Sequence, residues 1–286
     1  MVKSLASESS SISQLKIDYS EIVRNINMSR VSEHVKFFSS LGTRATGYPG
    51  NRIAAQYIYN QFVSIGLENV TIQEFEVVDC IDHGTNITIP SKNETLELYS
   101  IRPNFIVPST TPPEGISGRL IYVKNAEMED LDGLDIKGNI ALVDWRAGSN
   151  WITLYKLGAK AVIFLEPDSE EFVPPLKHNV FSVKSLMTTT FIEDLPLKFP
   201  RFYAPKNVGN YLLKNVGEEV LIKSNTYWEK VKTWNIIGFI KGTVYPDQSM
   251  MIITYYDSYS DAPRLAPGAQ EACSIASLLE IARYFQ

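Results

Sequence analysis

The chain reads as an α/β protein in three successive parts, and three observations carry that reading. Apolar residues recur at helical spacing through the first third; a strand, a helix and a nearly continuous apolar strand follow one another between residues 139 and 165; and an apolar strand runs into acidic residues and a helix near residue 286. At 286 residues the chain exceeds one ordinary core, and 44% hydrophobic with 21% charged residues is the composition of a globular protein with ample apolar material.

In the first part, Leu15, Tyr19, Ile22 and Ile26, then Val31, Val35, Phe38 and Leu41, follow helical spacing. The loop Gly42-Thr43-Arg44-Ala45-Thr46-Gly47-Tyr48-Pro49-Gly50 breaks the pattern. From Asn51 a clearer helix puts Ala54, Ile58, Phe62 and Ile65 on one face, and Gly66 is placed to cap its C-terminus. Val70 to Val78, rich in Val, Ile, Thr and Phe, predicts a strand.

Prolines and glycines crowd Pro103 to Gly118 and mark a border, so residues 1–105 are expected to form a support region. Beyond it Arg119–Val123 and Asn139–Asp144 predict strands, Trp151–Leu157 a short helix stopped by Gly158, and Lys160–Leu165 a strand buried on both faces: a βαβ unit. Glu166 to Val231 reads as irregular, with a short helix at Tyr211-Leu212-Leu213 and a strand at Val220–Lys223, completing a module over residues 106–231. The last part, residues 232–286, is expected to start with two antiparallel strands, Trp234–Ile240 and Ser249–Tyr256, followed by a helix from about Glu271 presenting Ile275, Leu278, Leu279 and Ala282. Two strands and one helix cannot bury their apolar faces alone, so this part is expected to be incomplete, with an exposed sheet edge prone to self-association.

A formal charge of -5 with no Lys/Arg cluster argues against nucleic acid as a partner. No apolar run approaches the roughly 18 residues of a membrane span, and the N-terminus lacks the apolar core of a signal peptide. Cys80 and Cys273 are too few for a disulfide framework. Asn-x-Ser/Thr sequons begin at Asn27, Asn69, Asn86 and Asn93, about as many as chance supplies, so the compartment stays open. Gly-x-Ser-x-Gly, Gly-x-x-x-x-Gly-Lys and His-Glu-x-x-His are absent from the sequence.

Three segments in this order resemble the N-terminal part of a co-catalytic zinc aminopeptidase with a protease-associated insert, of the kind related to glutamate carboxypeptidase II and the transferrin receptor. They are Arg44-x-x-Gly47-x-x-Gly50 with the helix ending at Gly66-Leu67; Ile136–Val143 with Leu157–Ile163; and Trp234–Gly238 leading to Tyr255-Tyr256-Asp257-Ser258 and Pro267-Gly268-Ala269-Gln270-Glu271. The resemblance implies that residues 106–231 are the protease-associated insert and residues 232–286 the start of a mixed-sheet α/β/α domain, with zinc as the family's cofactor. It places Tyr255 where the family has a zinc-binding histidine, Asp257 where a carboxylate orients that histidine, and Glu271 where an aspartate bridges both metals. Ala272 stands for the family's asparagine and Ile275 for its helix glycine, and the family's general base falls beyond Gln286.

A phenol of pKa ~10 must lose its proton before it can ligate zinc. Glutamate shifts the bridging charge by about one methylene between metals about 3.5–4 Å apart, and without an imidazole at 255 Asp257 has no ring N–H to hold. Each residue also has a plain structural reading: Tyr255 and Tyr256 as aromatic strand residues, Glu271 as a partner of the helix dipole, Asp257 as a turn cap, and His34, His83 and His178 as structural or solvated histidines. The expected function is therefore a peptidase-like protein without catalysis or metal in this chain, binding peptide or protein or serving assembly. The alternative is the N-terminal fragment of an active metal-dependent aminopeptidase or carboxypeptidase.

Overall fold

The computed structural model describes residues 19–167, 196–245, 247–266 and 268–286. Helices α1 (Tyr19–Asn25) and α2 (Met28–Ser40) are the first elements of the described residues, and the predicted position Leu15 lies outside them. Asn27 starts α2 by accepting the Ser29 and Arg30 N–H groups on its side chain. Helix α3 (Pro49–Ile65) has proline in its first turn and ends where Gly66 turns left-handed at φ 96°, donating its N–H to the Phe62 carbonyl. Gly50 is required by close approach, since a Cβ there would stand 2.1 Å from the Thr43 carbonyl oxygen.

Strands β1 (Glu68–Ile89), β2 (Glu94–Ser100), β3 (Ile116–Tyr122), β4 (Ile140–Asp144), β5 (Ala161–Leu165), β6 (Arg201–Ala204) and β7 (Glu219–Phe239) form one closed mixed sheet in the order β1-β2-β6-β5-β4-β3-β7. Strands β3, β4, β5 and β6 are mutually parallel, while β2 and β7 close the ring with antiparallel pairs. Three helices are interleaved: α4 (Met128–Leu131), α5 (Trp151–Lys156) between β4 and β5, and α6 (Lys206–Leu213) after β6. The βαβ unit expected from the apolar runs is thus present. Its strands are buried on both faces because Ile140, Leu142 and Ile163 enter one core while Ala141, Val143, Val162 and Phe164 enter another with Trp151 and Leu154.

Beyond the barrel β1 and β7 continue together as a two-stranded ribbon, paired from Asp82 with Thr226 to Glu68 with Phe239. The ribbon reaches a helical layer in which Phe38 of α2, Ala54, Ile58 and Phe62 of α3, and Ala272, Ile275 and Leu279 of the last helix, α7 (Ala269–Phe285), share a core with Ile236. Helices α2 and α3 therefore pack against α7, far away in sequence. Strand β7 runs unbroken across residues 231 and 232, and β2 belongs to the barrel.

One expectation is overturned. Ser249–Tyr256 is not a strand and does not pair with Trp234–Phe239, whose partner is the Glu68–Glu74 end of β1. Met250, Met251 and Ile253 are 84%, 81% and 79% exposed. Strand propensity reports fit to a neighbouring strand, and among the described residues none lies beside this segment to complete a ladder. The stretch read as irregular before Val231 is, from Glu219 onward, part of β7, because its ladder partner lies far away in sequence.

At the ribbon–barrel junction sits a buried knot of hydroxyls. Thr85, Ser100, Ser224 and Thr226 lie within 2.7–3.1 Å of one another in successive pairs, and Asp82 accepts from Thr85 and from the Ser100 N–H. Each buried hydroxyl thereby has a partner. The loop before α7 is held to the barrel by two arginines. Arg102 lies 3.8 Å from the Tyr259 ring centroid and donates to the Ser260 carbonyl; Arg264 pairs with Asp82 and Glu97 and lies 4.6 Å from the Tyr99 ring centroid.

Candidate metal centre

The three residues singled out from the sequence meet different fates. Tyr255 is 59% exposed, whereas its neighbour Tyr256 packs its ring into the helical core and donates its hydroxyl to the Trp234 carbonyl at 2.8 Å. Asp257 is half-buried after that turn, and burial raises its pKa above the usual carboxylate range while Arg44 pulls it back down. Glu271 stands in the first turn of α7, where its charge complements the helix dipole, with Oε2 buried and without a hydrogen-bond partner among the described residues.

What joins these groups is Arg44. Its side chain is fully buried, and it donates from Nε to the Tyr256 carbonyl at 2.9 Å, from Nη1 to the Phe38 carbonyl at 2.8 Å and from Nη2 to the Gly268 carbonyl at 2.8 Å. Its backbone N–H donates to Ser258 Oγ at 2.8 Å, and its own carbonyl accepts from Asn51. Burial lowers the Arg44 pKa, and the charges of Glu271 and Asp257 raise it. One guanidinium thus ties α2, the Asp257 turn and the start of α7 together, serving as the counter-charge to both carboxylates.

Gly268 lets these pieces converge. Its φ is 58°, and a Cβ added there would lie 2.5 Å from Ser258 Cβ, 2.8 Å from Arg44 Nη2 and 3.0 Å from Glu271 Oε2. The sequence signalled Arg44 only as the first residue of Arg44-x-x-Gly47-x-x-Gly50, without a role.

The residues present do not fit a pair of zinc ions. An orphaned carboxylate oxygen on Glu271 would suit a cation, but the permanent charge of buried Arg44 already acts on Glu271 and Asp257, and Tyr255 is largely in solvent. Among the described residues no three His, Cys, Asp or Glu side chains come together as metal donors. His34 is engaged with the Tyr57 hydroxyl at 2.7 Å between α2 and α3, and burial lowers its pKa. His83 stacks on Tyr227 and contacts Glu229 at 2.9 Å beside the barrel, and His178 lies outside the described residues. No described helix is long and apolar enough to cross a membrane.

The fold has solved counterparts. A zinc aminopeptidase from Bacillus subtilis matches 90% of this chain at 20% identity with a TM-score of 0.58, and a further structure of that enzyme matches at 19% with the same score. An aminopeptidase from Aneurinibacillus sp. strain AM-1 matches 92% of the chain at 22% identity with a TM-score of 0.47. The chain spans 57% of the Bacillus subtilis enzyme and 60% of the Aneurinibacillus one. No protein-family model and no curated protein matches. The class is therefore defined by architecture: this chain has a zinc-aminopeptidase-like α/β fold.

Proposed function

We propose that this chain is a peptidase-like protein that neither holds the pair of zinc ions its sequence resemblance implies nor cleaves peptide bonds, and that it acts by binding peptide or protein. The observation that carries this reading is the buried guanidinium of Arg44 set against Glu271 and Asp257, with an exposed Tyr255 at the position the resemblance gives to a histidine. An arginine held by main-chain carbonyls cannot polarise a bound water as a metal does, and Asp257 has no imidazole to orient. In the same reading residues 106–231 are a protease-associated-type unit, which the parallel β3–β4–β5 run and the intervening α5 support, and β2 and the end of β1 complete its barrel.

The test is metal loading with activity. The 286-residue chain is incubated with excess zinc, freed of unbound metal and assayed for bound zinc by mass spectrometry. Release of the N-terminal residue from an aminoacyl p-nitroanilide is followed with and without chelator. Zinc well below one ion per chain and no chelator-sensitive release are expected. One or two zinc ions per chain together with chelator-sensitive release would overturn the proposal.

A further inference from the structure

Between the start of α3 and β7 lies an open groove of about 530 Å³ that the candidate metal centre does not use. Tyr48, Ile53, Val231 and Trp234 supply apolar wall, and the charged groups at its edge are Arg52 and Lys232. A second hollow of about 260 Å³ continues from it, sharing Arg52, Lys232 and Trp234 and adding Ile72 and Glu74.

The charges in this groove are unequally committed. Lys232 Nζ is 2.7 Å from Glu74 Oε1, and the other oxygen of Glu74 accepts from Trp234 Nε1 at 3.1 Å. Glu74 thereby neutralises Lys232 and fixes the indole. The guanidinium of exposed Arg52 makes no hydrogen bond or close ion pair among the described residues and shares the charge of Glu74 with Lys232, so the groove sets two cations against one carboxylate beside a fixed aromatic ring. Beyond Ser224, β7 is paired with β1 alone, so along the groove its other edge carries no strand among the described residues.

We propose that this groove takes an extended peptide segment bearing a carboxylate next to a large apolar side chain. The carboxylate seats on Arg52, whose planar fork matches it with paired N–H donors, and the apolar group lies against Trp234, Ile53 and Tyr48. Charge complementarity selects this occupant: Arg52 and Lys232 outweigh Glu74, so the groove is net positive, and the aromatic and aliphatic wall beside Arg52 offers apolar surface to a side chain. Glu74 opposes the incoming carboxylate, and Lys232 and Arg52 together offset it. The inference names a site for the binding role proposed above and rests on that role.

The test titrates the metal-free 286-residue chain by calorimetry with two blocked peptides, Ac-Val-Glu-Phe-Val-NH2 and the same peptide with glutamine in place of glutamate. The glutamate peptide should bind about tenfold more tightly at low salt, with the advantage shrinking as salt is raised. Arg52→Gln, at an exposed position, should remove that advantage and leave the glutamine peptide's affinity unchanged, with the circular dichroism of the chain unaltered. Equal binding of the two peptides, a glutamate preference that survives Arg52→Gln, or no binding of either would each overturn the proposal. Zinc loading and amino-acid release decide the non-catalytic reading separately, so either inference can fail alone.

Discussion

Replacing Arg44 with methionine isolates what the buried guanidinium contributes. Methionine keeps much of the apolar stem but removes the donors to the Tyr256, Phe38 and Gly268 carbonyls and the charge facing Glu271 and Asp257. Three charge-assisted hydrogen bonds at about 1.5–3 kcal/mol each set a ceiling near 9 kcal/mol, and relaxation and entering water reduce it. Breaking a buried charged arrangement by removing one partner costs about 3–5 kcal/mol, and that is the loss expected here. Urea unfolding followed by tryptophan emission measures the total, and amide hydrogen exchange shows where it falls. Protection should drop in α2, α3 and α7, whose shared core the arginine pins, and persist in β4 and β5 of the barrel. Arg44→Lys should recover only part, because one ammonium cannot span the three carbonyl directions. Adding Glu271→Gln to Arg44→Met should return about 1 kcal/mol, since the orphaned carboxylate then carries no charge. A loss below about 1 kcal/mol, or equal loss of protection in the barrel, would refute the clamp.

Two further perturbations probe the same layer. Glu280 of α7, buried, accepts Arg30 Nη2 at 2.6 Å and the Asn27 N–H at 2.8 Å, and the Arg30 hydrogen bond holds its pKa below the ordinary carboxylate value. A folded-state pKa below the unfolded one means stability that is fully present above about 4.5 and lost as pH falls through the folded value. Glu280→Gln should therefore cost about 1–3 kcal/mol at pH 7 and flatten the acid limb of the stability–pH curve, read by urea midpoints between pH 3 and 7. Gly268→Ala forces a side chain into φ 58° and to within 2.5 Å of Ser258 Cβ, so it should lower stability by about 2 kcal/mol or more, measured in the same way.

How much of this was legible in the sequence depends on the range of the interaction. Helix α3 could be read because its signals are local: Ala54, Ile58 and Phe62 at a four-residue period, with Gly66 to stop it. The β4–α5–β5 unit could be read because strands buried on both faces are apolar throughout. Pieces of β1 and β7 could be read, at Val70–Val78, Val220–Lys223 and Trp234–Ile240, but their full length and their pairing could not, since the ribbon is a ladder between residues far apart in sequence. The opposite error befell Met250–Tyr256, whose apolar, β-branched run satisfies every local rule for a strand but has no ladder partner among the described residues.

The candidate centre shows the same division between side chains and main chain. Asp257 and Glu271 stand out in the sequence because carboxylates at a strand exit and a helix entry carry chemistry in their side chains. Arg44 does not, because what it binds are the carbonyls of Phe38, Tyr256 and Gly268, groups every residue possesses. Glu271 looks like a degraded metal ligand when only residue types are compared. Among the described residues its charge acts on the buried Arg44 guanidinium, which three main-chain carbonyls hold in place. Tyr255→His would therefore alter only the exposed member of the set and leave Arg44 where three backbone segments hold it.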